Sequence, residues 1–415
     1  SRICPGGGRG PLRAPVGPGG LAQDMDSGED NLMEDHEACL MGAPNGSCSS
    51  EIDGSSSEDE RLKEEHVEVQ NCPMSEDVYG FAATSLIRDT RMIVSQQGDQ
   101  CLRAWRLVAS QGFVMLNIAM QAYLLLMTKW YVTAKRVHDI RDLYSKFEDH
   151  MYPNHTTRTS HNNSRGVPGY FQPKLIETLD DDVKSDVCRI SLAHPLFFIV
   201  VILVWTLTCA GEIKETIDMF ISLVYATPTI DTMAHSTVGL PKHDLASTHT
   251  HARAKFQELR PDMVHKIEAL HPNERLVIGL TRACKFYLSF FILLPRLLIT
   301  LSLLWLGSRW LLATIGFEDI LVNAVALEFI LLLKDLLYRT VVPNRNKRDV
   351  QCTQVIPPGL TEGASYNRFL GSFIIYLGAA AWAYFYTFHL QMVIPHYRWD
   401  VREVCRQWID TEFNA

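Results

Sequence analysis

The sequence lacks the short motifs that mark most enzymes. It has no GxSxG, HExxH, Walker or GxGxxG pattern in a suitable context. Its ten cysteines include no CxxC pair, which argues against a zinc ribbon and against a disulfide-dense scaffold. No apolar stretch typical of a cleavable signal peptide precedes Leu102. We therefore expect neither an enzyme nor a bound cofactor.

Basic patches are also scarce where the chain is most polar. The formal net charge is -8, and much of it arises from acidic residues scattered among Gly and Ser before residue 75. Such a composition buries too little apolar surface to offset chain entropy. Residues 1–74 are therefore predicted to form a disordered acidic tail, and no nucleic-acid partner is expected.

Long apolar runs dominate the rest of the chain. Each is about 20 residues long, which is enough to cross about 30 Å of hydrocarbon. The pattern predicts an all-α, polytopic transmembrane helical bundle of about five spans, in contact with the lipid bilayer of the plasma membrane or an endomembrane. The predicted parts are a juxtamembrane helix at 75–106 and a membrane domain at 107–394, with spans near 107–130, 193–213, 286–306, 312–338 and 369–394. The part of the fourth span at 320–338 either crosses or re-enters.

Two glycosylation sequons indicate the orientation of the bundle. Asn154 and Asn162 lie in the polar loop 131–189, which we therefore expect to be lumenal. The loop at 214–284 is then cytosolic and the tail at 395–415 lumenal. Cys188 and Cys405 are the cysteines of the lumenal segments, and an oxidising lumen permits a disulfide between them. Two unpaired thiols are the alternative.

The cytosolic loop is rich in histidine. His243, His249 and His251 are weak candidates for zinc or copper ligands, because neutral imidazole suits those ions. Their spacing lacks the i, i+4 register that places two ligands on one helical face. A soluble loop with pH-sensitive charge is the favoured interpretation, so no metal site is predicted.

Ionisable residues within the central apolar segment are the candidate site. Arg296 lies inside one predicted span and Glu328 inside the next, and a charge at membrane depth is costly unless it is paired or faces water. We predict an intramembrane polar pair of Arg296 and Glu328. Asp335 lies seven residues beyond Glu328 on the same face, and Asn323 shares a second face with Lys334, which makes these three supporting polar residues.

The same segment resembles a family of uncharacterised polytopic membrane proteins from microalgae. That family has a Leu-Pro-Arg/Lys start to one span, a Gly near its end, and a signature close to FxDxxxNAVALxFI. The matching residues are Leu294, Pro295, Arg296, Gly307, Phe317, Asp319, Asn323, Ala324, Val325, Ala326, Leu327, Phe329 and Ile330. The resemblance implies a polytopic membrane protein and no particular activity. Where the family tends to continue with Asp-Glu, this chain has Lys334-Asp335.

Two classes of function follow from these features. The first is a subunit of an ion or proton channel or transporter, with Arg296 and Glu328 as gate or relay. The second is a membrane scaffold or a structural subunit of a larger complex, in which the pair fixes the register of two helices. Gly371, Gly378 and the alanines after it let a neighbouring helix approach closely. We therefore expect other membrane subunits or self-association as partners.

Overall fold

The computed structural model describes residues 72–96, 98–159, 163–239, 275–355 and 366–406 and is mostly helical. The predicted tail at 1–74 lies outside this range except for its last three residues. The longer helices are α1 Val78–Val94, α2 Gln100–Met127, α3 Ala134–Met151, α4 Asp181–Cys188, α5 Pro195–Phe220, α6 Arg282–Tyr287, α7 Leu294–Leu312, α8 Phe317–Val341, α9 Asn344–Gln351 and α10 Tyr366–Phe385. Segments of π-helix at Thr128–Thr133 and Leu288–Leu293 join α2 to α3 and α6 to α7, and two more extend α5 and α10 to Ala226 and Leu390.

Four continuous helices are long and apolar enough to cross a membrane. Within the described residues they are Gln100–Met151, Pro195–Ala226, Arg282–Leu312 and Leu370–Leu390. These four agree with four of the predicted spans and indicate an integral, multi-pass membrane protein. The first helix is about 78 Å long, far more than a bilayer needs. Its apolar part is 107–130, and the charge-rich α3 continues beyond it.

The fourth predicted span, at 312–338, corresponds to α8. This helix is unbroken from Phe317 to Val341. It is not one of the four candidate spans and carries charged side chains at both ends and at Glu328.

The long helices run between two ends of the molecule that carry different structures. At one end, here called the sheet end, short strands form a four-stranded sheet in the order β1-β6-β5-β4. Its strands are β1 Cys72–Pro73, β4 Thr237–Gly239, β5 Arg275–Val277 and β6 Thr353–Val355. The strands come from segments distant in sequence, and β5 pairs with β6 in parallel. The all-α prediction missed this sheet, because strands of two or three residues leave little periodicity to detect.

The opposite end, here called the disulfide end, is held by a bond between Cys188 and Cys405 with a Cα–Cα distance of 5.1 Å. It contains α3, α4 and the hairpin of β2 Thr156–Arg158 with β3 Ser164–Gly166. The segment predicted as a loop at 131–189 is therefore largely structured, because α2 continues through a π-helical turn into α3. Val393, Ile394 and Val401 of the C-terminal segment are buried against this end.

The segment predicted as one juxtamembrane helix at 75–106 is two helices. The chain turns between α1 and α2, where Gln96 and Gly98 have φ of 53° and 72°. Helix α1 folds back against α2, so that Tyr79 lies beside Asn117 and Gln121 near the middle of the first span. Much of α1 is buried, since its apolar residues pack against α2, α8 and the chain around the sheet. This fold-back brings the start of α1 into the helical bundle.

Candidate functional site

Five ionisable side chains meet inside the bundle towards its sheet end. They come from four segments and are Asp77, Glu212, Glu215, Arg296 and Lys334. We call this group the charge cluster. Its two cations and Asp77 are almost fully buried, with 2% to 5% of each side chain exposed. With every group ionised, the cluster carries one negative charge in excess.

Arg296 contacts all three carboxylates. Its Nη2 donates hydrogen bonds to Glu215 at 2.6 Å and to Glu212 at 3.2 Å. Its Nη1 lies 3.2 Å from Asp77 Oδ2, at ion-pair distance but without hydrogen-bond alignment. The guanidinium also lies over the ring of Tyr79, 4.9 Å from its centre, a cation–π contact. A buried guanidinium is tolerated here because acids and an aromatic face surround it.

Lys334 binds the same three acids from the other side. Its Nζ lies 3.0 Å from Glu212 Oε2, 3.0 Å from Glu215 Oε2 and 3.4 Å from Asp77 Oδ2. Each carboxylate is therefore shared by two cations. The interlocked contacts link α1, α5, α7 and α8 at one depth.

The local sequence explains the position of Arg296. Pro295 lacks an N–H and its ring would clash with the carbonyl four residues earlier, so a regular α-helix cannot continue through this point. The structure accommodates the proline with the π-helix Leu288–Leu293, directly before α7. Such π-helical turns often occur at functional sites.

The predicted pair of Arg296 with Glu328 is wrong, because Arg296 binds other acids and Glu328 is exposed. The reason is that α7 and α8 form a hairpin, in which residues at equal distance from the turn lie side by side. Arg296 lies about 24 Å from the end of α7 at Leu312, and Lys334 about 25 Å from the start of α8 at Phe317. Glu328 is only about 16 Å from that start, so the other cation, and not the acid, reaches the level of Arg296.

Asp77 joins the cluster because α1 begins there. One carboxylate oxygen accepts a hydrogen bond from Gly80 N–H at 2.7 Å and caps α1, while the other faces Arg296 and Lys334. Two cations and a backbone N–H therefore surround the Asp77 carboxylate.

Glu215 connects the charge cluster to a cavity of about 1370 Å³. The cavity lies between α5 and α10 and extends to β1 and β6 at the sheet end. Glu215 lines it, and 37% of this side chain is exposed. The charge cluster is therefore enclosed by protein on most sides and accessible from the cavity through Glu215.

The remaining predicted site residues are dispersed. Asn323 donates to Thr314 Oγ1 at 2.9 Å near the start of α8, far from Lys334. Asp335 is half-buried beside the cluster and forms no ion pair within the described part of the chain. Asn154 is exposed, consistent with an acceptor site. Asn162 and the three histidines, His243, His249 and His251, lie outside the described residues.

A second buried cluster lies at the disulfide end. Glu148 on α3 is fully buried and lies 3.3 Å from Arg165, whose guanidinium covers the ring of Tyr144. Tyr144 and Tyr152 both donate to Asp400 of the C-terminal segment. Burial, with a contribution from Asp400, outweighs Arg165 and raises the pKa of Glu148 to about 7. This carboxyl group therefore titrates near neutral pH.

Sequence reasoning missed the acids of the charge cluster for two reasons. Glu212 and Glu215 follow the apolar run of α5, a position where exposed charges are ordinary. Asp77 lies in a segment predicted to be outside the bundle. The sequence did contain one signal for the site. Glu212 and Glu215 are three residues apart at the end of a span, and this spacing places two carboxylates on one face of a helix.

Comparisons of the chain with protein-family models, with curated proteins and with solved structures find no match.

Proposed function

We propose that this integral membrane protein transports a proton or a small cation, and that the charge cluster holds the transported ion. The observation that carries the proposal is the position of Glu215, which binds both buried cations and also lines the cavity. Buried charge inside a membrane bundle is expensive and often marks an ion pathway. The excess negative charge of the cluster favours a cation.

We expect ion binding at Glu215 to weaken its ion pairs with Arg296 and Lys334. A proton or cation that arrives from the cavity neutralises this carboxylate and weakens both contacts. Asp77 and Glu212 then hold the two cations alone. Because the four linked segments share the cluster, such a change is able to alter their packing, as alternating access requires.

A structural role is the second candidate, and the depth of burial favours it. Four of the five side chains are at most 18% exposed and paired, as expected for charges that fix the register of helices. In that case the protein is a scaffold or a subunit of a larger membrane complex and carries no ion itself.

Flux measurements distinguish the two functions. The full-length protein is reconstituted in liposomes that contain a dye sensitive to pH, to sodium or to potassium, and a gradient of the matching ion is imposed on each. Transport predicts a protein-dependent flux that Glu215→Gln abolishes. Glu328→Gln is the matched control, since Glu328 is an exposed acid outside the cluster.

The outcomes are separable. Loss of flux in Glu215→Gln, with Glu328→Gln active and both proteins folded, supports transport through the cluster. Equal flux in the two variants would remove Glu215 from the pathway. No flux under any of the three gradients would refute the transport proposal and leave the scaffold.

A further inference from the structure

The cavity between α5 and α10 is larger than the roughly 300–1,000 Å³ of a typical small-molecule site. On α5 its lining extends from Thr206 to Leu223, a distance of about 25 Å along the helix. One leaflet with its head groups is about 20–22 Å thick. The cavity therefore has the length of a single membrane lipid.

The lining changes character along this length. The part next to Thr206 is mostly apolar and includes Leu304, Ile375 and Trp382. Charged side chains begin at Lys214, about 12 Å further along α5. Half of the hydrocarbon core is about 15 Å thick. Acyl chains in the apolar part would thus place a head group beside the charged part.

The charges beside that position have both signs. Lys214 and Asp218 are four residues apart on α5, both exposed and lining the cavity, and Glu215 lies between them. Neither Lys214 nor Asp218 forms an ion pair within the described ranges of the chain. A lysine suits a phosphate, and two carboxylates suit an ammonium group. An anionic head group would meet one negative charge in excess.

We propose that this cavity binds one phospholipid with a zwitterionic head group, its phosphate at Lys214 and its ammonium group at Asp218 and Glu215. The proposal goes beyond transport: if the protein also carries an ion, that ion displaces the ammonium group from Glu215. An apolar lining favours hydrocarbon over water, because water there finds too few polar partners. The acyl chains gain little free energy when they move from the bilayer into the cavity, because both are apolar. The contacts of the head group therefore determine which lipid binds.

Two glycines of α10 provide variants that fill the cavity. Gly371 and Gly378 both line it, and a Cβ added to either meets nothing within 4 Å. Phenylalanine at Gly378 should therefore occupy the lipid position without displacing the core. Gly211 on α5 has equally open space but does not line the cavity, so Gly211→Phe is the matched control.

Native mass spectrometry measures the binding. The full-length protein is purified in detergent, stripped of lipid and transferred to mixed micelles with equal amounts of phosphatidylcholine and phosphatidylglycerol. We expect one phosphatidylcholine to be retained, at least tenfold over phosphatidylglycerol. Gly378→Phe should lower this retention at least tenfold, and Gly211→Phe should leave it unchanged. Asp218→Lys, which changes the net charge beside the head group from one negative to one positive, should shift the preference to phosphatidylglycerol.

Three results would overturn the proposal. They are equal retention in Gly378→Phe and Gly211→Phe, equal retention of the two lipids by the unaltered protein, and a dimer that Gly378→Phe converts to monomer. The last would mean that a helix of a second copy fills the cavity. If Gly378→Phe fails to give a single folded species on size exclusion, Gly371→Phe makes the same test.

Discussion

Removal of the Arg296 charge should strongly destabilise the protein. Arg296→Met keeps a long apolar side chain but leaves three carboxylates facing Lys334 alone. At about 3.2 Å and an effective dielectric constant near 20, one ion pair is worth roughly 5 kcal/mol before desolvation. Breaking a buried pair typically costs about 3–5 kcal/mol, because the partner charges remain buried. We expect a loss in that range.

Simultaneous removal of an acid should restore part of the loss. In Arg296→Met with Asp77→Asn the excess charge returns to the value in the unaltered protein. Asparagine at position 77 also retains the oxygen that caps α1 at Gly80. We therefore expect the double variant to be more stable than the sum of the single changes predicts, by more than about 1 kcal/mol.

Thermal unfolding in detergent, followed by circular dichroism, supplies the measurement. Arg296→Met should lower Tm by about 3–6 °C. Glu328→Gln, which neutralises an exposed acid on α8, should change the free energy of unfolding by less than about 0.5 kcal/mol. Strict additivity of Arg296→Met and Asp77→Asn would mean that the two residues do not interact. The same additivity of Arg296→Met with Glu212→Gln and with Glu215→Gln would mean that the charge cluster does not hold the bundle together.

Three further predictions concern the segments that the sequence predicts to be lumenal. Because burial favours protonated Glu148, the free energy of unfolding should fall by roughly 3 kcal/mol as pH rises from about 4.5 to about 7, and Glu148→Gln should abolish that slope in thermal melts. Non-reducing peptide mapping should recover a linked peptide containing Cys188 and Cys405, and reduction should lower Tm; two free thiols would contradict the bond. Glycosidase treatment of the protein from its native host should increase its electrophoretic mobility. This increase should be smaller in Asn154→Gln and in Asn162→Gln, because each variant lacks one glycan. Unchanged mobility of the unaltered protein would contradict the predicted orientation.

Sequence alone was sufficient to predict the class of the protein. Apolar runs of about 20 residues have few alternatives to a membrane helix, because only helices and closed barrels satisfy the backbone in hydrocarbon. The four candidate spans follow directly from these runs. Arg296 was identified for the same kind of reason, since a charge within such a run is costly wherever the neighbouring helices lie.

The partners of Arg296 depended on tertiary structure. Which acid reaches the guanidinium is determined by the fold-back of α1, which brings in Asp77, and by the packing of α5, which presents Glu212 and Glu215. Neither event leaves a periodic pattern in the sequence, because a turn at Gln96 and a packed helix face are decided by distant contacts. Helix length would have excluded Glu328, since a hairpin pairs residues at equal distance from its turn. The fold of the chain, and not the proximity of spans in sequence, therefore formed the charge cluster.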